Sequence, residues 1–523
     1  ATWDIKDTGQ IPVKLGLPQV KAGRCINKPN PNKSTKAPSP ALTAPALWFG
    51  PVQNGKVQMY SASVSTYPGS SSSKIFLQNL SRNDDKNKPG RYSLKPLSKN
   101  EIKSKEPSFM GRETIIRLDD GVHLIKLNGR KDEVAAFVNL NGNNTGKNDT
   151  FGIVKEANVN LDADEWKKVL LPWTVRGPGN DDKFKSINRE SDKYSQRYRI
   201  RENGNRDLGD IVNSPIVAVG GYLATAANDG MVHIFKKNGG SDERSYNLKL
   251  SYIPGTMERK DIEGNDSDLA KELRTFAEKG YVGDRYGVDG GFVLRQVELR
   301  GQKHVFMFGA MGLGGRGAYA LDLSKINGNY PAAAPLFDVK DGDNNGKNGK
   351  NRVEVELGYT VGTPQIGKTR SGKYAAFLAS GYAAKDIGSG DNKTALYVYD
   401  LNNTLGTPIA KIDVKDGKGG LSSPTLVDKD LDGTVDIAYA GDRGGNMYRF
   451  DLSDSDPNKW SAKAIFEGTK PITSAPAVSR LADKRVVIFG TGSDLSEDDV
   501  LNTDEQYIYG IFDDDEGTVK VTV

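Results

Sequence analysis

The sequence predicts an all-β protein, on three observations: a turn-rich composition, β-rich runs paired around hairpin dipeptides, and a repeated strand pattern in its second half. Gly (59) and Pro (24) supply about one residue in six of the 523, while hydrophobic residues reach only 36%, against ~45–50% in an average domain. Lys and Arg (72) exceed Asp and Glu (67) by five charges, too thin an excess over this length for a dedicated nucleic-acid binder. Mean hydropathy is −0.56, and no stretch approaches the ~18 apolar residues of a membrane helix. The length exceeds the ~100–200 residues of one small domain, so a large core or several domains are expected.

The single cysteine, Cys25, excludes an internal disulfide framework and any Cys-cluster metal or iron–sulfur site. It reads as a free thiol, the alternative being a bond to a segment outside this chain. The chain opens at Ala1 without Met or an apolar leader run and closes on the strand-like Thr518-Val-Lys-Val-Thr-Val523, so a fragment or processed product is expected.

In order along the chain, residues 1–46 read as an irregular N-terminal arm, rich in Pro, Asn, Lys and Ser over 27–45. Residues 47–200 read as a β-rich region. Within it, 47–65 carries two β-rich runs around Asn54-Gly55, and 113–140 carries more, with Asp120-Gly121 and Asn128-Gly129 as turns. Residues 82–106 hold eight basic side chains against four acidic ones, a solvated loop or a contact for an acidic partner. A short helix is expected over 162–170, stopped before Pro172. A second is expected over 268–279, with Leu269, Leu273 and Phe276 on one face, Ser267 as N-cap and Gly280 past its end.

Residues 201–523 repeat themselves. SPIV (214), TPQI (363), SPTL (423) and APAV (475) each lead to an apolar run with Gly and then to an aromatic strand: MVHIF, ALYVYDL, NMYRFDL and QYIYGIFD. A fifth copy over 290–323 lacks the Pro. The starts at Pro215, Gly291, Pro364, Pro424 and Pro476 give steps of 76, 73, 60 and 52 residues, longer than the ~40–50 of a minimal propeller blade and roomy enough for insertions. Five copies plus the hairpin regions at 47–80 and 113–140 predict a seven-bladed β-propeller with irregular outer blades and few short helices. Residues 47–200 would contribute the first blades, and 201–523 the repeated blades and a calcium loop.

That loop is Asp428-Lys-Asp430-Leu-Asp432-Gly433-Thr434-Val-Asp436. Ca²⁺ wants six to eight oxygens at about 2.3–2.6 Å, and carboxylates at alternate positions of a tight turn can all point inward. Gly433 permits the turn, the Thr434 carbonyl suits the seventh place and Asp436 the ninth. The twelfth place, a bidentate Glu in an EF-hand, is Tyr439, so a strong ligand is missing. A second run, Asp341-Gly-Asp343-Asn-Asn345-Gly346, matches the early positions and fails at Gly349 and Arg352; it reads as a flexible loop. The stretch 494–516, with ten acidic residues and no Lys or Arg, reads as a solvated face. His123, His233 and His304 each lie in a strand-like run, which speaks against zinc. GLGGRG at 312–317 leads into a strand, whereas a phosphate cradle needs a helix N-terminus. No nucleophile elbow is present.

LGDIVNSPIVAV (208–219), VDGGFVL (288–294), GAMGLGGRGAYALDLS (309–324), LGYTVGTPQI (357–366), LSSPTLVDKDLDGTVDIAYAGDRGGNMYRFDLS (421–453) and PITSAPAV (471–478) resemble the C-terminal domain of the PilC/PilY proteins. These are type IV pilus tip-associated adhesin and biogenesis factors of Gram-negative bacteria. The resemblance covers about 200–520 and implies a modified seven-bladed propeller whose calcium site promotes pilus extension against retraction. It places ligand roles on Asp428, Asp430, Asp432, Thr434 and Asp436. It further implies secretion across the inner membrane to the pilus tip, cell surface or outer membrane. Minor pilins or other pilus components would be partners, with a host-cell receptor as another. Two rivals stand beside it: a quinoprotein dehydrogenase propeller that uses Ca²⁺, and an integrin-like or lectin-like calcium propeller that only binds. The five tryptophans (Trp3, Trp48, Trp166, Trp173 and Trp460) miss the repeats' aromatic strands, unlike the docking motifs of quinoproteins.

Overall fold

Short alternating strands joined by tight turns pair with the next strand in sequence, because that closure costs the least chain entropy. In a computed structural model of the chain this rule builds six four-stranded antiparallel units. Before residue 112 the structure describes only 9–13, 46–53, 56–64, 73–82, 92–93, 98 and 100. From there to 520 it describes all but 129–133, 137–147, 155, 176–181, 196–197, 199–207, 210, 239–245, 262, 280–285, 329, 344–352, 383–392, 482–483, 496–498, 500 and 516.

The first unit spans 46–93, the second 217–253, the third 292–340, the fourth 365–413 and the fifth 425–467. The sixth combines 477–513 with Gly9–Val13, which pairs antiparallel with Gln506–Asp513 at its outer edge. First strands lie side by side in chain order, from Ala46–Gln53 through Val217–Val219, Phe292–Leu299, Gln365–Lys368 and Thr425–Val427 to Ala477–Leu481. Apolar clusters fill the space between successive sheets, such as Phe308 with Tyr399, Leu396 with Tyr448, and Met447 with Phe489. Sheets stacked face to face around their first strands form a β-propeller. Leu47 and Phe49 of the first unit, and Ile488 and Ile508 of the sixth, turn away from these clusters and are exposed.

From the second unit to the sixth, the starts of the repeats hold each unit to the next. Ser214 Oγ donates to the Gly290 carbonyl at 3.0 Å, and Gly291 N donates to the Gly362 carbonyl at 2.9 Å. Thr363 N donates to Ser423 Oγ at 2.8 Å, and Thr425 Oγ1 donates to the Pro476 carbonyl at 2.5 Å.

Four expectations need correction. The 113–140 region does not make a unit of its own. Glu113–Leu118 pairs parallel with Tyr246–Ile253, so 113–136 extends the second sheet to seven strands. The reason is cover for an open strand edge: Ile115 and Ile116 are fully buried, and Arg117 Nε donates to Tyr252 Oη, which donates to Asp338 of the third unit at 2.6 Å. Seven units are therefore not reached among the described residues. The expected stop before Pro172 is also wrong: the helix continues from a π-helical turn, Trp166–Leu170, straight into Leu171–Val175, with Leu171 N donating to the Trp166 carbonyl, so Pro172 lies inside it just after the register shift. A further helix, Asp182–Ile187, was not foreseen. The other helix, Leu269–Lys279, is capped one residue later than expected, with Asp268 Oδ1 accepting from Lys271 N at 2.8 Å. The GLGGRG stretch is a turn between strands, as read from sequence.

Candidate metal centre

The loop 428–436 joins Thr425–Val427 to Ile437–Gly441 in the fifth unit. Carboxylate oxygens of Asp428, Asp430, Asp432 and Asp436 all lie within 4.8 Å of one another, so the cluster can hold a metal ion. It is the one such group among the described residues. Two left-handed residues make the turn: Gly433 at φ 87° and Leu431 at φ 58°, the latter unusual for a residue with a branched side chain. Asp428 closes the loop on itself, Oδ1 accepting from Asp432 N at 3.2 Å and Oδ2 from Gly433 N at 2.8 Å. Asp432 Oδ1 accepts both the amide and the hydroxyl of Thr434, at 2.8 and 2.7 Å. Asp436 is buried and accepts from Lys429 N at 2.7 Å.

These contacts split the acids. The Thr434 hydroxyl and amide, with Arg370 nearby, hold the Asp432 carboxyl below its usual value. Burial pushes Asp436 up, and the charges on Asp430 and Asp432 push it further. The loop thus gathers negative charge that a cation relieves.

Neighbouring units frame it. Val435 N donates to the Lys368 carbonyl at 2.8 Å, and Gly367 leaves room there, since a Cβ would meet Val435 at 2.4 Å. Arg370 Nη1, on the hairpin turn after Gln365–Lys368, lies 3.0 Å from Asp432, 3.7 Å from Asp430 and 3.9 Å from Asp436. On the sixth-unit side, Arg480 Nη1 donates to the Lys429 carbonyl at 3.2 Å and Lys429 Nζ to Asp515 at 2.9 Å. Tyr439, at the place of the missing Glu, is fully buried and points away from a ligand role. Its hydroxyl donates to Asp513 and accepts from Arg485 Nε at 2.9 Å, while Arg449 Nη1 reaches Asp513 at 2.6 Å.

Sequence reasoning found the four aspartates and missed Arg370 and the Tyr439–Asp513–Arg485–Arg449 network. In the second acidic run, Asp341 Oδ1 accepts from Leu357 N at 2.7 Å and Asp343 Oδ2 from Lys340 N at 3.1 Å. Those carboxylates shape a turn; Asn345 and Gly346 lie outside the described residues. Each histidine has its own carboxylate: His123 with Asp120, His233 with Asp229, His304 with Asp322. His233 also meets Ser251 Oγ at 2.8 Å, a Ser–His–Asp arrangement that sequence reasoning did not foresee. All three side chains are buried, and Asp229 also accepts from Gly209 N and Met231 N, so the trio braces a core and meets no solvent.

Residues 208–523, more than half of the chain, match the family described as the PilY1 beta-propeller domain. The chain belongs to this family. The type IV pilus biogenesis factor PilY1 of Pseudomonas aeruginosa is 30% identical over 405 residues, covering 66% of this chain and 32% of that protein. A PilY1 homolog of Xylella fastidiosa is 26% identical over 321 residues, covering 56% and 19%. The chain thus spans about a third or less of these relatives' length. Among solved structures, the PilY1 C-terminal domain of Pseudomonas aeruginosa is 25% identical at a TM-score of 0.41, covering 58% of this chain and 60% of that one. A quinohemoprotein alcohol dehydrogenase from Pseudomonas putida is 11% identical at a TM-score of 0.26, covering 64% of each, a likeness too weak to carry chemistry. Among the described residues of this PilY1-family chain, no helix is long and apolar enough to cross a membrane.

Proposed function

We propose that this chain is the calcium-binding propeller of a type IV pilus biogenesis factor that performs no catalysis and promotes pilus extension against retraction. In this reading it supports twitching motility and host-cell adherence. It acts at the pilus tip or cell surface, through minor pilins and a host receptor. The observation that carries the reading is the four-aspartate cluster in a chain of the PilY1 family. Oxygens around one Ca²⁺ at about 2.3–2.6 Å can stand no more than about 4.6–5.2 Å apart, and these lie within 4.8 Å. Asp428, Asp430, Asp432 and Asp436 would ligate through carboxylates and Thr434 through its carbonyl. Bound calcium would neutralise the loop and fix its turn.

Calorimetric titration of calcium-stripped protein tests the site. Asp432→Ala is expected to lose most of the affinity. Thr434→Ala removes one hydroxyl bond to Asp432 and keeps the carbonyl, so its affinity should change little. In cells the first change should cut surface pili and twitching, and the second should not. Parent-like binding by Asp432→Ala would place the site elsewhere and take the regulatory reading with it.

A further inference from the structure

Arg370 is presented to the loop by a rigid turn. Thr369 N donates to the Lys373 carbonyl at 2.7 Å, Gly372 N to the Thr369 carbonyl at 2.9 Å, and Lys373 N to Thr369 Oγ1 at 3.2 Å. The Val435–Lys368 bond then fixes this hairpin of the fourth unit against the loop of the fifth. Among the described residues Arg370 makes its ion pairs with the loop: Asp432 at hydrogen-bonding distance, Asp430 and Asp436 as close charges. One guanidinium nitrogen therefore faces three of the four candidate ligands, across a boundary between units.

We propose that Arg370 is the loop's built-in counter-cation: it and a divalent ion compete for Asp430, Asp432 and Asp436, and ion binding releases the tie between the fourth and fifth units. The inference rests on the calcium reading above. Geometry makes the competition unavoidable. An ion bound to Asp432 Oδ2 at about 2.6 Å lies within roughly 5.6 Å of a nitrogen that is itself 3.0 Å from that oxygen. A +1 and a +2 charge at that spacing repel enough, even at the dielectric of water, to weaken binding about tenfold. The guanidinium must swing away or tax the affinity. Its partly exposed side chain can swing into solvent. Loading the loop would then exchange an inter-unit ion pair for a filled ion shell and a free cation on the rim.

The test compares the full chain with Arg370→Gln and Arg370→Lys, by calorimetric titration with calcium chloride and by thermal unfolding in chelator and in saturating calcium. Arg370→Gln is expected to bind calcium about tenfold tighter than the parent, with Arg370→Lys close to the parent. In chelator Arg370→Gln should melt below the parent, because the loop has lost its counter-charge; in saturating calcium that deficit should vanish. If the parent binds calcium and Arg370→Gln binds equally or more weakly, the competition is overturned and the calcium site stands. If Arg370→Gln melts like the parent in chelator, the tie is overturned. Absence of calcium binding by the parent overturns both readings together.

Discussion

Asp289 allows a pH experiment whose sign and size follow from its surroundings. Its carboxyl is buried at the entry to the third unit, with Asn213 donating its backbone amide at 3.2 Å and its side-chain amide at 2.6 Å. Burial dominates over these two bonds and lifts the carboxyl from 3.8 to about 7. Between pH ~4 and ~7 the unfolded chain has lost this proton and the folded chain keeps it, so folding takes up a proton and stability falls as pH rises. Below that window both states are protonated, and above it both are ionised, so the contribution is flat at each end. From pH 5 to 8 the loss amounts to about 2.5 kcal/mol, at 1.36 kcal/mol for each pH unit inside the window. Asp289→Asn cannot titrate. Whatever the amide costs in packing is the same at both pH values, so urea unfolding of parent and variant at pH 5 and pH 8 isolates the carboxyl. The variant should gain about 2.5 kcal/mol on the parent between the two conditions. Parallel pH profiles would refute the assignment of a neutral Asp289.

Two packing predictions accompany it. Asp513→Ala removes the carboxylate that receives Arg449 and Tyr439 and leaves Asp515 as the one carboxylate paired with Arg449 and Arg485; urea unfolding should show a loss of about 3–5 kcal/mol. Gly309→Ala puts a Cβ 2.2 Å from the ring and hydroxyl of fully buried Tyr319; overpacking there should cost about 1–3 kcal/mol, read as a lower melting temperature. The calcium titrations of Asp432→Ala, Thr434→Ala and Arg370→Gln complete the set.

What was legible in the sequence was local. The Asp120-Gly121 signal found the hairpin one residue out of place: the loop is Asp119-Asp120, and Gly121, at φ 126°, pairs with Leu118 as the first residue of Gly121–Leu127; a hairpin is legible because adjacent residues decide it. The four aspartates were readable for the same reason, since alternate positions of one tight turn converge whatever surrounds them. Arg370 was not readable: it lies 62 residues from Asp432, in another unit's hairpin. Its sequence, Thr-Arg-Ser-Gly, is that of any solvated turn. The extra strands at 113–136 misled in the opposite way. Their pattern states correctly that they are strands, but only the open edge of Tyr246–Ile253 decides that they join an existing sheet. Pro172 misled because a π turn shifts helical register by one residue, which no local rule announces.

The position of the aspartate loop argues that its role concerns the assembly of units more than the fifth unit alone. Considered within its own unit, a filled loop would pin one edge of one sheet, since it joins Thr425–Val427 to Ile437–Gly441. In the structure the loop is held from both sides: by the Lys368 carbonyl and Arg370 of the fourth unit, and by Arg480 of the sixth together with Asp515 at its end. Lys429 stands between two of the loop's aspartates, donates its amide to a third and sends its ammonium to Asp515. Asp515 is paired in turn with Arg485 and Arg449 around buried Asp513. Four residues further on, Val519–Lys520 lies parallel against Ser461–Glu467, so the end of the described chain crosses back from the sixth unit to the fifth. A change of charge in the loop therefore acts on two inter-unit boundaries at once. On the fourth-unit side it acts through Arg370, whose partners are the loop's own aspartates. On the sixth-unit side it acts through Lys429, whose partner is the strap that follows the last strand.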